Sequence, residues 1–110
     1  MELEVYWTRF AEGKLDDIYN YYELKASAKI ARGMIIGIID KTILLEKSPF
    51  VGQKEELLSD RPQNFRYLVF KNYKIIYWIN QNKKRIDVVN VFNTRQNPSK
   101  MKSFPTETYK

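Results

Sequence analysis

Residues 65–98 read Phe65-Arg66-Tyr67-Leu68-Val69-Phe70-Lys71-Asn72-Tyr73-Lys74-Ile75-Ile76-Tyr77-Trp78-Ile79-Asn80-Gln81-Asn82-Lys83-Lys84-Arg85-Ile86-Asp87-Val88-Val89-Asn90-Val91-Phe92-Asn93-Thr94-Arg95-Gln96-Asn97-Pro98. Aromatic and β-branched residues fill three runs, separated by polar breaks at Lys71-Asn72 and Gln81 to Lys84. This pattern predicts three strands joined by tight turns into an antiparallel meander. The stretch is also studded with Arg and Lys and holds a single acid, Asp87.

Upstream, Leu3, Val5 and Trp7 alternate with Glu2, Glu4 and Tyr6, the period of a half-buried strand. Thr8 can cap a helix running from about Arg9 to Leu24, with Leu15, Ile18, Tyr19 and Tyr22 on one apolar stripe. Ser27 can cap a second helix, which Pro49 ends. Ala31, Met34, Ile35, Ile38, Thr42 and Leu45 trace its inner face. Gly33 and Gly37 lie one turn apart inside it. Each costs about 1 kcal/mol relative to Ala, so a close helix–helix contact is expected there. The connection from Phe50 to Asn64 is polar and is expected to anchor through Leu57 and Leu58.

The order is therefore β-α-α-β-β-β. It predicts an α+β domain, with a helical hairpin packed on one face of a mainly antiparallel, twisted sheet. The other face is expected to be free. Residues 1–98 form this domain, and residues 99–110 read as a mobile basic tail.

The chain of 110 residues has no cysteine and no histidine, so disulfides, thiolate chemistry, zinc sites and His-based acid–base catalysis are excluded. The longest apolar run, Met34 to Leu45, is broken by Asp40 and Lys41 and is too short for a bilayer, which needs about 20 residues. No signal peptide is visible, and a soluble cytoplasmic protein is expected. Residues 1–60 hold 11 acids and 8 bases, a balance of −3; residues 61–110 hold 2 acids and 11 bases, a balance of +9. A split this sharp suggests an anionic partner for the second half, although a solubility surface would look the same.

The first turn of the meander decides which cations share a face. A two-residue turn at Lys71-Asn72 puts Arg66 and Lys74 on opposite faces; a three-residue loop puts them on one. Asn72 suits the left-handed last position of a three-residue loop, and Lys71 suits a two-residue turn poorly. The expected result is Phe65, Tyr67, Val69, Tyr73, Ile75 and Tyr77 toward the helices. Arg66, Lys74, Ile76 and Trp78 then lie on the open face, where Trp78 could stack on a base. Lys71, Lys84 and Arg85 at the turns are phosphate-contact candidates, or plain solvated charges.

Three segments in this order resemble the RelE/ParE superfamily of bacterial type II toxins: Arg66-Tyr67-Leu68, Tyr73-Lys74-Ile75-Ile76-Tyr77, and Val91-Phe92-Asn93-Thr94-Arg95-Gln96-Asn97-Pro98. The link Ser48-Pro49-Phe50-Val51-Gly52 adds to the likeness, which covers roughly residues 3–98. The resemblance implies a toxin paired with a cognate antitoxin, without metal or cofactor. One branch cleaves mRNA on the ribosome as a metal-independent endoribonuclease. For it, Lys74, Arg95 and Arg66 would be catalytic candidates that stabilise the charge of a phosphorane-like state. The other branch blocks DNA gyrase. The chain lacks the second strand Lys and the late Tyr common in ribonuclease members, having Ser99, Lys100 and Met101 instead. Its Arg-Gln-Asn-Pro ending is the more ParE-like form. A non-toxic nucleic-acid-binding module using the basic sheet face is the alternative. An acidic, amphipathic antitoxin segment would match the basic half.

Overall fold

Thr8 and Ser27 start the two helices, as their side chains predict. The Thr8 hydroxyl accepts from the Ala11 amide at 3.2 Å and donates to the Val88 carbonyl at 3.0 Å, tying the helix start to the sheet. Ser27 accepts from the Ile30 amide at 3.1 Å. In the computed structural model, which describes residues 3–105, the elements are β1 (Glu4–Trp7), α1 (Arg9–Lys25), α2 (Ala28–Ile43), β2 (Gln53–Lys54), β3 (Arg66–Phe70), β4 (Tyr73–Asn80) and β5 (Arg85–Asn93). Met1, Glu2 and residues 106–110, the far end of the expected tail, lie outside the described residues.

The sheet order is β1-β5-β4-β3-β2, with β1 parallel to β5 and every other pair antiparallel. This is the expected α+β architecture, with the two-residue β2 added at the edge of β3. The hairpin of the first meander turn differs from expectation. Phe70 pairs with Tyr73 across a two-residue turn, and Lys71 itself takes the left-handed conformation at φ 52°. That conformation costs roughly 1–2 kcal/mol for a non-glycine residue. It turns Leu68 and Phe70 toward the helices, where both pack against the first core. Phe70 fits because Gly37 lacks the Cβ that would strike its ring. The close approach expected of Gly37 is thus to the sheet, not to the other helix, and Gly33 faces open space.

Two cores result. On the helix face, Ile18, Met34, Ile38 and Leu45 pack on Tyr73, Ile75, Tyr77, Ile86, Val88 and Val91. The opposite face is not free. Leu58, Phe65, Ile76, Val89, Phe92, Met101 and Phe104 form a second cluster over it, joined by Tyr67 and Trp78. A register shift between Ile76 and Tyr77 supplies the extra residue Val89 to this second core. Met101 and Phe104 are 1% and 4% exposed, so residues 98–105 are a packed strap and not the mobile segment that their polar neighbours suggested. Leu58 anchors the long connection through a 3-10 turn at Glu56–Leu58, whereas Leu57 is exposed.

Candidate functional site

The hairpin register separates the cations that the sequence reading grouped. Arg66 pairs with Tyr77, and Lys74 pairs with Val69 and Phe92, so the two side chains leave opposite faces of the sheet. Phe65, Tyr67 and Val69 correspondingly lie away from the helices.

Lys74 is held on the second face. Its Nζ lies 2.9 Å from Oε2 of Glu55, whose side chain is only 3% exposed. The same ammonium sits 4.2 Å from the centroid of the Tyr67 ring. Glu55 also accepts from the Leu57 amide at 3.3 Å. A buried carboxylate needs such partners, since desolvating it unpaired is strongly unfavourable. The Lys74 charge is therefore largely compensated within the fold.

Arg66 is held on the first face by backbone carbonyls. Nη1 donates to Gly52 at 2.7 Å and to Phe50 at 3.3 Å, and the guanidinium lies 5.2 Å from the Phe50 ring centroid. The Tyr77 hydroxyl completes this clamp, donating to the Pro49 carbonyl at 2.7 Å and accepting from the Gly52 amide at 3.0 Å. Burial pushes the Tyr77 hydroxyl above its ordinary pKa; the Gly52 N–H and the Arg66 charge oppose that shift more weakly. The clamp fixes the 49–52 loop and leaves Phe50 and Val51 exposed at its tip.

Arg95 belongs to a third place. It follows β5 and opens onto a cleft of about 320 Å³ between α1 and the Tyr73 end of the sheet. Lys71 and Lys84 are exposed at turns, Lys84 in the left-handed conformation. Arg85 is committed within the fold: Nε donates to Asp87 Oδ1 at 2.6 Å, and the guanidinium lies 3.9 Å from the Tyr6 ring centroid. Asp87 is fully buried and also accepts from Asn80 Nδ2 at 3.1 Å. Trp78 is half-buried and packs edge-on against Phe65, with ring centroids 6.5 Å apart, inside the second cluster. It is not the open stacking platform expected.

The candidates therefore do not converge. Phosphoryl chemistry needs several donors aimed at one developing charge and a nearby proton acceptor. Lys74 faces Glu55, Arg66 faces carbonyls, and Arg95 lies apart in its own cleft. Sequence reading missed Glu55 and the paired role of Tyr77. Glu55 stands in a mixed Lys54-Glu55-Glu56 run whose charge pattern does not single it out. Both residues act on partners more than 15 positions away, where local periodicity carries no signal.

Among the described residues, no helix is long and apolar enough to cross a membrane. A family model described as "ParE toxin of type II toxin-antitoxin system, parDE" matches residues 5–98. A solved chain from the chromosomal ParDE TA system from P. aeruginosa superimposes with a TM-score of 0.69 at 20% identity, covering 84% of this chain and 96% of that one. At that identity the likeness is one of fold. Comparison with curated protein sequences gives no significant match.

Proposed function

We propose that this chain, which belongs to the ParE family of toxins of type II toxin–antitoxin systems, arrests growth by blocking DNA gyrase and not by cutting mRNA. The resemblance to the ParE branch implies gyrase as the target and a cognate antitoxin as the neutralising partner. The observation that carries the choice is the separation of the cations. Lys74 and Arg66 leave opposite faces of the sheet, and each is already bonded within the fold. A toxin that works by occupying its target needs a stable surface and no assembled proton shuttle, which suits this arrangement.

The test combines a supercoiling assay on the purified chain with mRNA mapping in cells that express it. Gyrase supercoiling should be inhibited in a dose-dependent way, while primer extension on cellular mRNA from arrested cells shows no new cut sites. Codon-phased cleavage with unaffected supercoiling would overturn the proposal and select the ribonuclease branch.

A further inference from the structure

A concave site lies on the helix side of the sheet, away from both Lys74 and Arg66. Helical spacing puts Lys14, Asp17 and Tyr21 along one stripe of α1, facing Tyr73 at the start of β4 and Arg95 beyond β5. Ile18 and Val91, 6% and 2% exposed, give it an apolar floor. Tyr21 and Tyr22 meet edge to face, with centroids 5.0 Å apart, and form one wall. The cleft, at about 320 Å³, is at the small end of the ligand-site range.

Its charges are uncommitted. Among the described residues neither Lys14, Asp17 nor Arg95 forms an ion pair. Lys14 lies 5.4 Å from the Phe10 ring centroid. The backbone beneath Arg95 is nonetheless fixed, because Asn93 Oδ1 accepts from the Arg95 amide at 2.9 Å and from Asn72 Nδ2 at 3.1 Å. The Arg95 guanidinium is thus presented from a rigid base, and Tyr73 is buried at the back of the site. Burial raises the Tyr73 hydroxyl pKa, and so does its hydrogen bond with Tyr22, which ties the two side chains together in the wall of the site.

Two cations and a neutral hydroxyl suit an anion. Three tyrosine rings suit a planar ring, because stacking on them needs a π-face. Asp17 suits a group that donates N–H. An acidic peptide would engage the cations, but it would leave the rings unused and face Asp17 with like charge. We propose that this cleft binds a single nucleotide with an amino-substituted base, its base against the tyrosines and its phosphate on Lys14 and Arg95. The nucleotide is either free or the 5′ end of a single strand. The site is independent of how the toxin meets its target.

The experiment is calorimetric titration of the full chain with AMP, GMP, CMP, UMP, inorganic phosphate, a 5′-phosphorylated trinucleotide and an acidic tetrapeptide. At least one amino-base nucleotide should bind saturably, and about 10-fold more tightly than UMP or phosphate. Arg95→Ala should weaken binding and lower the slope of log affinity against log salt by about one. Tyr21→Ala should weaken it about 10-fold. Asp17→Asn should narrow the margin over UMP. Both Arg95 and Tyr21 are exposed, so unchanged melting of these variants separates lost binding from lost folding. A trinucleotide that binds more tightly than the free nucleotides would identify a strand end as the ligand; equal affinity would identify the free nucleotide. No saturable nucleotide binding at millimolar concentration, equal affinity in Arg95→Ala, or tighter binding of the peptide would each overturn the assignment.

Discussion

Lys74 and Glu55 form a 2.9 Å ion pair across the covered face of the sheet, with the carboxylate 3% exposed and the ammonium 22% exposed. One partner, Lys74, is a residue that the toxin resemblance makes a catalytic candidate; the other, Glu55, comes from the connection between α2 and β3. Their pairing changes what a substitution at Lys74 measures.

Lys74→Ala is expected to destabilise the fold by about 3 kcal/mol, because it strands a buried carboxylate. Lys74→Met combined with Glu55→Gln should regain much of that loss by removing both charges together. Urea unfolding of Lys74→Met, Glu55→Gln and the double variant forms the cycle. Additive effects would mean that the pair does not couple. Loss of toxicity in Lys74→Ala alone would therefore not identify a catalytic group.

The strap gives a second expectation. Phe104 lies 5.4 Å from the Phe65 ring centroid, and the Arg61 guanidinium stacks 4.7 Å from the Phe104 centroid while donating to the Lys102 carbonyl at 2.7 Å. Phe104→Ala should cost about 3 kcal/mol, as for a core aromatic. Chemical denaturation decides this, since a loose tail would shift stability by no more than about 0.5 kcal/mol.

Glycines in α2 should respond in opposite directions. Nothing lies near a Cβ at Gly33, so Gly33→Ala should stabilise by about 1 kcal/mol through helix propensity. At Gly37 a Cβ would strike the Phe70 ring, so Gly37→Ala should destabilise by about 1–3 kcal/mol. Thermal melts of the two variants on the same day would separate them; shifts of the same sign would contradict the packing described.

Alkaline pH should weaken the fold through Tyr73 and Tyr77. Burial raises both hydroxyls above the ordinary value of 10.0. As pH rises, the unfolded chain loses these protons first, so the native state holds more of them. Their contribution to stability is full below about pH 10 and falls as pH climbs through the raised range. A Tyr73→Phe/Tyr77→Phe double variant should show a shallower loss above that pH, measured by urea midpoints. An unchanged alkaline slope would point to other groups.

The sheet and helices were legible because their signals are local. Period-2 runs, the Thr8 and Ser27 caps and the Pro49 stop each act within a few residues. The hairpin register was not, because Lys71 takes a conformation unfavourable to it in isolation. The register that requires it seats Phe70 over Gly37, a contact between residues 33 positions apart. The tail was misread for a similar reason. Met101 and Phe104 are two apolar residues in a polar run, and their burial depends on a sheet face supplied by distant residues.

Sequence alone thus determined the element order, the absence of cysteine and histidine chemistry, the concentration of positive charge after residue 60, and the toxin resemblance. Tertiary structure decided where each charge acts. A strand assigns side chains to faces only after its partner fixes the register, and one residue of slip exchanges the faces. That slip moved Arg66 to the loop clamp and left Lys74 with Glu55 on the opposite side. Packing of α1 on the sheet set Arg95 at a tyrosine-lined cleft, one wall of which comes from helix residues more than 70 positions away in the chain. Burial, hydrogen bonding and ion pairing depend on such distances through space, which sequence spacing does not encode.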